Sequence, residues 1–165
     1  MNLVELLGHK SITEACLNLP RVGLEAFDFK CIPSEKGLYI WWIAGSPEAR
    51  YVGIALNKSG LFQRVARQHL NPKYLEYRPM KFGSWPVYLD TDGRSYVEKS
   101  VFRKKVARSY GVTGGEPCVD LIKTIFEVSV MTAGVLPDES VRAAEKLIVS
   151  SFQPIYNTTF NKSAN

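Results

Sequence analysis

The sequence predicts a mixed α/β fold of the α+β kind, a small three-stranded antiparallel sheet flanked by helices. Three stretches carry that expectation. Gly37-Leu38-Tyr39-Ile40-Trp41-Trp42-Ile43 is an apolar, aromatic and β-branched run with the composition of a buried strand. Arg50-Tyr51-Val52-Gly53-Ile54 is a shorter run of the same kind. Turn formers between the two, Gly45, Ser46 and Pro47, let them fold back as a hairpin with Tyr39 and Tyr51 on neighbouring strands. Residues 121–130 alternate around Ile125 and Phe126 and supply the third strand.

The chain opens on helical spacing. Leu, Val, Ile and Ala recur through residues 2–7 and 11–19, and Ser11 ahead of Glu14 forms a capping-box pattern. His9 falls in the loop between these short helices, a surface position. Phe27, Phe29 and Ile32 before Pro33 read as an irregular or extended lead into the first strand. After the hairpin, Asn57-Lys58-Ser59-Gly60 breaks the strand, and residues 61–70 resume with helical periodicity, Leu61, Val65 and Gln68 sharing a side.

Residues 71–85 carry Asn71-Pro72 and Arg78-Pro79, which oppose continuous helix. Tyr74, Tyr77, Phe82 and Trp85 make this an ordered loop, and together with Lys73, Arg78 and Lys81 they suit either anchoring to the body or stacking beside nucleic acid. Pro86-Val87-Tyr88-Leu89 reads as a short strand ended by the turn Asp90-Thr91-Asp92-Gly93. Ser95-x-x-Glu98 then opens a helix to about residue 109, stopped by Gly111, with Val97, Val101, Phe102 and Val106 inward and its basic residues outward. Gly114-Gly115-Glu116-Pro117 is a loop lacking the ending of a phosphate-binding P-loop. Asp138 is placed as the N-cap of a last helix whose Val141, Ala144, Leu147, Ile148 and Ser151 face the sheet, with Glu145 at the edge of that side. The tail from Thr158 onward reads as frayed.

At 165 residues one domain is expected, organised as an N-terminal helical extension (1–33), a core (34–70 and 121–158) and an insertion (71–120). No apolar run reaches the length of a membrane span, and the first seven residues lack a signal-peptide pattern, so the expected location is cytoplasmic. Cys16, Cys31 and Cys118 are scattered without zinc or disulfide spacing and are expected to be reduced thiols. The formal charge of +5 permits an anionic partner. Its distribution is more telling: Arg64, Arg67 and His69 on one helix, Lys73, Arg78 and Lys81 after it, and Arg103, Lys104, Lys105 and Arg108 on another leave room for a basic face along a phosphate backbone.

The tripeptides Gly37-Leu38-Tyr39 and Tyr51-Val52-Gly53, then Leu61-x-x-Arg64, Glu145-x-x-Ile148 and Phe152-x-Pro154-x-Tyr156-Asn157, stand in an order that resembles the GIY-YIG nuclease family. The resemblance covers roughly residues 33–71 and 122–157. It implies a Mg²⁺-dependent (or Mn²⁺-dependent) endonuclease hydrolysing phosphodiester bonds in double-stranded DNA, of phage, mobile-element or restriction type; a homodimer would let one active site per subunit cut both strands. Glu145 would hold the metal, Arg64 would grip the scissile phosphate, Tyr39 would act as general base with Tyr51 supporting it, and Asn157 would position backbone or the Glu145 side chain. A phenol ionises near about 10, so neighbouring cations such as Arg64 and Lys58 must favour its phenolate. Lys58, Arg67, Gln68, Lys73, Lys104 and Lys105 are the expected substrate contacts. The family often carries His or Tyr four residues after the arginine, whereas here that position is Gln68 and His69 follows it, about a quarter-turn round an ideal helix. Either His69 reaches the site through a tightened or bent helix end, or Gln68 orients water. The alternatives are a non-catalytic nucleic-acid-binding or assembly module on the same core, and a structure-specific repair nuclease or RNase.

Overall fold

The computed structural model describes residues 1–25, 28–78 and 87–157. Lys81, Phe82, Trp85, Pro86, Phe27 and the tail from Thr158 lie outside the described residues. Among those described, the chain forms two antiparallel sheets and six α-helices, one of which continues into a π-helix. The larger sheet has the order β1-β7-β2-β3, with β1 at Val22–Gly23, β2 at Gly37–Ile43, β3 at Ala49–Ala55 and β7 at Phe126–Thr132. The expected three strands are there, and β1, paired to β7 through Val22 and Val128, adds a fourth.

Strand β2 is central and buried on both faces because its alternate side chains are all apolar or aromatic. Leu38, Ile40 and Trp42 pack with Val52 and Met131 against helix α6 (Asp138–Phe152) and helices α1 (Leu3–Leu7) and α2 (Ile12–Leu17). Tyr39 and Trp41 point the other way, into a cluster with Leu61, Val65, Phe102, Val106, Cys118 and Ile122. Strand β7 reaches β2 so closely that a Cβ on Gly37 would lie 2.1 Å from the Met131 carbonyl oxygen. Only glycine fits there.

Two expected elements fold differently. Residues 121–125 end helix α5 (Glu116–Ile125) and only β7 is extended. Pro117 near the helix start and the spacing of Cys118, Val119 and Ile122 satisfy a helix, and an apolar run alone does not separate the two periods. Ser95–Glu98 is strand β6, not a helix start. It is the middle of a second sheet with β4 (Leu75–Tyr77) and β5 (Val87–Leu89), order β4-β6-β5. Helix α4 (Val101–Tyr110) starts at Ser100, whose Oγ accepts from the Arg103 N–H, and ends at Gly111 in the left-handed region, as expected. Val101 is therefore exposed, and Arg103, expected to face outward with the other basic residues, is fully buried. Helix α6 is preceded by Pro137, and Asp138 does not cap it but pairs with Lys36 at 3.3 Å. Leu147 is exposed, with Val149 taking the inward position. No helix among the described residues is long and apolar enough to cross a membrane.

Arg103 ties the insertion to the core. Its Nη2 donates to Glu98 Oε1 at 2.7 Å, and both side chains are 0% exposed. Its Nη1 donates to the carbonyl oxygens of Asn71 at 2.5 Å and Gln68 at 3.3 Å. Glu98 Oε1 also accepts from the Gly115 N–H at 2.7 Å. One guanidinium thus joins the end of the helix after the hairpin, the second sheet and the start of α5. Replacing one partner of such a pair strands the other charge in the core. Arg103→Met is expected to lower stability by about 3–5 kcal/mol, measured by urea unfolding. A loss below about 1 kcal/mol would show that the pair is not what joins these elements.

Candidate active site

The helix after the hairpin begins as α3 (Gly60–Phe62) and widens into a π-helix over Gln63–His69, closed by a Leu70 N–H to Val65 carbonyl bond at 3.0 Å. This winding changes the side on which the residue five positions after the arginine emerges. Arg64 Nη1 donates to Gln68 Oε1 at 2.7 Å, while His69 turns inward. The helix end is neither tightened nor bent: it is widened, and His69 meets Tyr39, its Nε2 lying 2.9 Å from the phenol oxygen. The same imidazole's Nδ1 lies 2.8 Å from Ser100 Oγ. Trp41 and Phe102 stand edge-on to the ring, closing it off from water.

Tyr39 and Tyr51 share a face because Tyr39 pairs with Gly53 and Trp41 with Tyr51 across the hairpin. The Tyr39 phenol lies directly over Gly53. A Cβ there would sit 2.4 Å from the hydroxyl oxygen, so the glycine is what lets the phenol reach His69. Tyr39 is 1% exposed, Tyr51 only partly buried. Tyr39, Tyr51, Arg64, Gln68 and His69 line one cavity of about 80 Å³, whose far wall is Tyr74, Lys99, Ser100 and Val101.

The charges around the cavity act in opposed directions. Burial pushes the Tyr39 phenol well above its ordinary value, with Tyr51 and Glu145 adding and Arg64 opposing. Burial also raises Tyr51, with Arg64 opposing and Glu145 adding. His69 is driven down to about 3 by burial and by the Arg64 and Arg103 cations, so it is neutral at ordinary pH. Glu145, on α6 and half-buried, is raised by desolvation and pulled back by Arg142, Arg64 and Lys146. Its carboxylate is electrostatically coupled to Arg64 and to both phenols.

Asn157 acts on backbone, not on Glu145. Its Oδ1 accepts from the Val52 N–H and its Nδ2 donates to the Val52 carbonyl, both at 2.8 Å, so the segment after α6 clamps β3 between Tyr51 and Gly53. Gln153 in the left-handed region turns the chain there, and the Tyr156 N–H adds a bond to the Arg50 carbonyl at 3.0 Å.

The expected substrate contacts separate. Gln68 lines the cavity. Lys58 is exposed beside Lys36 and Asn57 at another cavity. Arg67 stacks on Phe62 on the helix's other side, and Lys73 is exposed on the turn before β4. Lys104 is half-buried beside Glu98, and Lys105 Nζ donates to the Tyr156 carbonyl at 2.7 Å. Sequence reading missed Lys99, held 4.8 Å over the Tyr74 ring, and Ser100. A Ser-x-x-Arg cap before Phe102 was the available signal for Ser100, masked by the competing Ser95-x-x-Glu98 pattern. Lys99 gave none.

Compared with protein-family models, curated proteins and solved structures, the chain finds no match.

Gly53→Ala is expected to displace the Tyr39 phenol from His69 and lower stability by about 1–3 kcal/mol, read by urea unfolding. Unchanged stability, with the Tyr39 hydroxyl resonance intact in the NMR spectrum, would show that the phenol does not rely on this gap.

Proposed function

We propose that this chain is a divalent-metal-dependent endonuclease of the GIY-YIG kind, hydrolysing phosphodiester bonds in double-stranded DNA. The observation that carries this reading is the convergence of Tyr39, Tyr51, Arg64, Gln68 and His69 on one cavity, with Glu145 electrostatically coupled to three of them. Arg64 has five N–H donors in a fixed fork, and the one held by Gln68 aims the group while others suit a phosphate. Tyr51, less buried than Tyr39, is the better base towards water, and Tyr39 supports it from the wall of the same cavity, which exchanges the roles expected from resemblance. Lys99 adds a cation at the cavity wall.

Glu145 fits a Mg²⁺ or Mn²⁺ site of a particular kind. Among the described residues no three His, Cys, Asp or Glu groups cluster, so zinc-type ligation has no donors. One hard carboxylate with a water-filled shell is a mode Mg²⁺ accepts. When bound, the ion supplies positive charge to the phosphate and the departing 3′ oxygen. Glu145→Gln is expected to abolish cleavage of supercoiled plasmid while leaving DNA binding in place. Full nicking by that variant in Mg²⁺ would sink the reading.

Tyr51 and Glu145 both act ionised, and both ionise above their ordinary values. Turnover is therefore expected to rise with pH, about tenfold per unit between pH 7 and 9, and to fade on acidification as Glu145 protonates. His69, neutral throughout, adds no step. A rate that falls from pH 7 to 9 contradicts a phenolate base.

The burial that raises both phenols favours one rival, a non-catalytic nucleic-acid-binding module. It gives salt-sensitive binding indifferent to metal, and any Mg²⁺-dependent nicking removes it.

A further inference from the structure

We propose that Ser100, which the insertion supplies from the junction of β6 and α4, is a positioning residue that fixes His69 as its Nε2–H tautomer, so that the site's hydrogen bonds run in one direction towards the Tyr39 oxygen. The kinetic part of this inference rests on the nuclease reading; the tautomer does not.

The direction follows from counting protons. Ser100 Oγ accepts the Arg103 backbone N–H at 3.2 Å, as the cap of α4. A hydroxyl has one proton to give and two lone pairs. His69 Nδ1, 2.8 Å away, is the acceptor for that proton among the described residues. Were Nδ1 protonated instead, Ser100 Oγ would accept twice and its own proton would be buried without a partner, a costly arrangement at a side chain 5% exposed. A neutral imidazole with a bare Nδ1 carries its proton on Nε2. That proton points at the Tyr39 oxygen, 2.9 Å away.

Tyr39, receiving a hydrogen bond at its oxygen, has its own proton available to donate. Both phenols line the same cavity, their ring centroids 6.2 Å apart. The order of donors therefore runs from the Arg103 N–H through Ser100 and His69 to Tyr39. Each donor polarises the next, and the last leaves the Tyr39 proton for an anion or a water in the cavity it shares with Tyr51. His69 on this view never exchanges a proton with substrate. It passes on an orientation, as the partner of a catalytic histidine fixes its tautomer in other hydrolases.

Long-range ¹H–¹⁵N correlation NMR of the full chain reads the tautomer directly. The chain has two histidines, and exposed His9 serves as the internal reference. The wild type is expected to show Nε2 protonated and Nδ1 bare at His69. Ser100→Ala is expected to lose that preference and to lower kcat about tenfold with KM within about twofold, the size of one hydrogen bond. Ser100→Thr should restore both. Ser100→Asp keeps a capping oxygen but can only accept, so it should draw the imidazole proton to Nδ1 and lose turnover likewise; it decides the matter if the alanine variant does not fold. Nδ1 protonation in the wild type, an unchanged signature in the folded variants, or unchanged kcat despite a changed tautomer overturns the proposal. A wild type with the Nε2–H signature that cuts no plasmid upholds the tautomer and removes the nuclease reading instead.

Discussion

A strand buried on both faces must be covered from two sides, and β2 sets that requirement for the whole molecule. Its even-numbered side chains demand α6 and the N-terminal helices. Its odd-numbered ones demand a second cover, which the helix after the hairpin cannot provide alone. The insertion and the helix it runs into complete it: Phe102, Val106 and Ala107 from α4 and Cys118 and Ile122 from α5 join Tyr39 and Trp41 in one cluster. Burying one large apolar side chain stabilises by about 1.5–3 kcal/mol, so removing these helices would expose far more than a domain's marginal stability tolerates. The insertion is thus part of the main core before it is anything towards a ligand.

The hairpin was legible in the sequence because its signals agree at every level. β-Branched and aromatic residues, turn formers and the glycines of both tripeptides all specify the same two strands. The helix at residues 116–125 and the strand at 95–98 were not, for a common reason. Both lie where one pattern satisfies two structures: an apolar run without a clear period, and a Ser-x-x-Glu that caps a helix in one context and alternates along a strand in another. Tertiary contact decides such cases. Glu98 is drawn inward by Arg103 and Gly115, and those partners are invisible to a reading of neighbours in the chain.

The site shows the same division. Tyr39, Tyr51 and Arg64, expected together from residue order, line one cavity, and Glu145 lies within electrostatic reach of all three. For His69 residue order is not enough, because an ideal helix carries it about a quarter-turn past Gln68, the position on the arginine's side. The π-helix makes up that angle. Such winding is unfavourable on its own, and here its C-terminal carbonyls, Gln68 and then Asn71, are held by the Arg103 guanidinium. The insertion therefore reaches the site twice, by Arg103 through the backbone and by Ser100 through the imidazole.

On the proposed nuclease reading, burial gives these phenols a problem that cations alone do not solve. Desolvation is the largest influence on both, and it disfavours the phenolate, while Arg64 opposes it. Adding a second buried cation would tighten the phenolate but would itself be desolvated, at a penalty of several kcal/mol. Oriented neutral donors avoid that penalty: a neutral histidine, held so by the same burial, can donate without bringing charge into the core. The arrangement works only if the imidazole proton sits on the side facing Tyr39, and a neutral ring has no preference of its own strong enough to ensure this. A hydroxyl whose lone pair is already engaged by a helix cap has such a preference. That is why a serine at the start of α4, remote in sequence from both tyrosines, belongs with them.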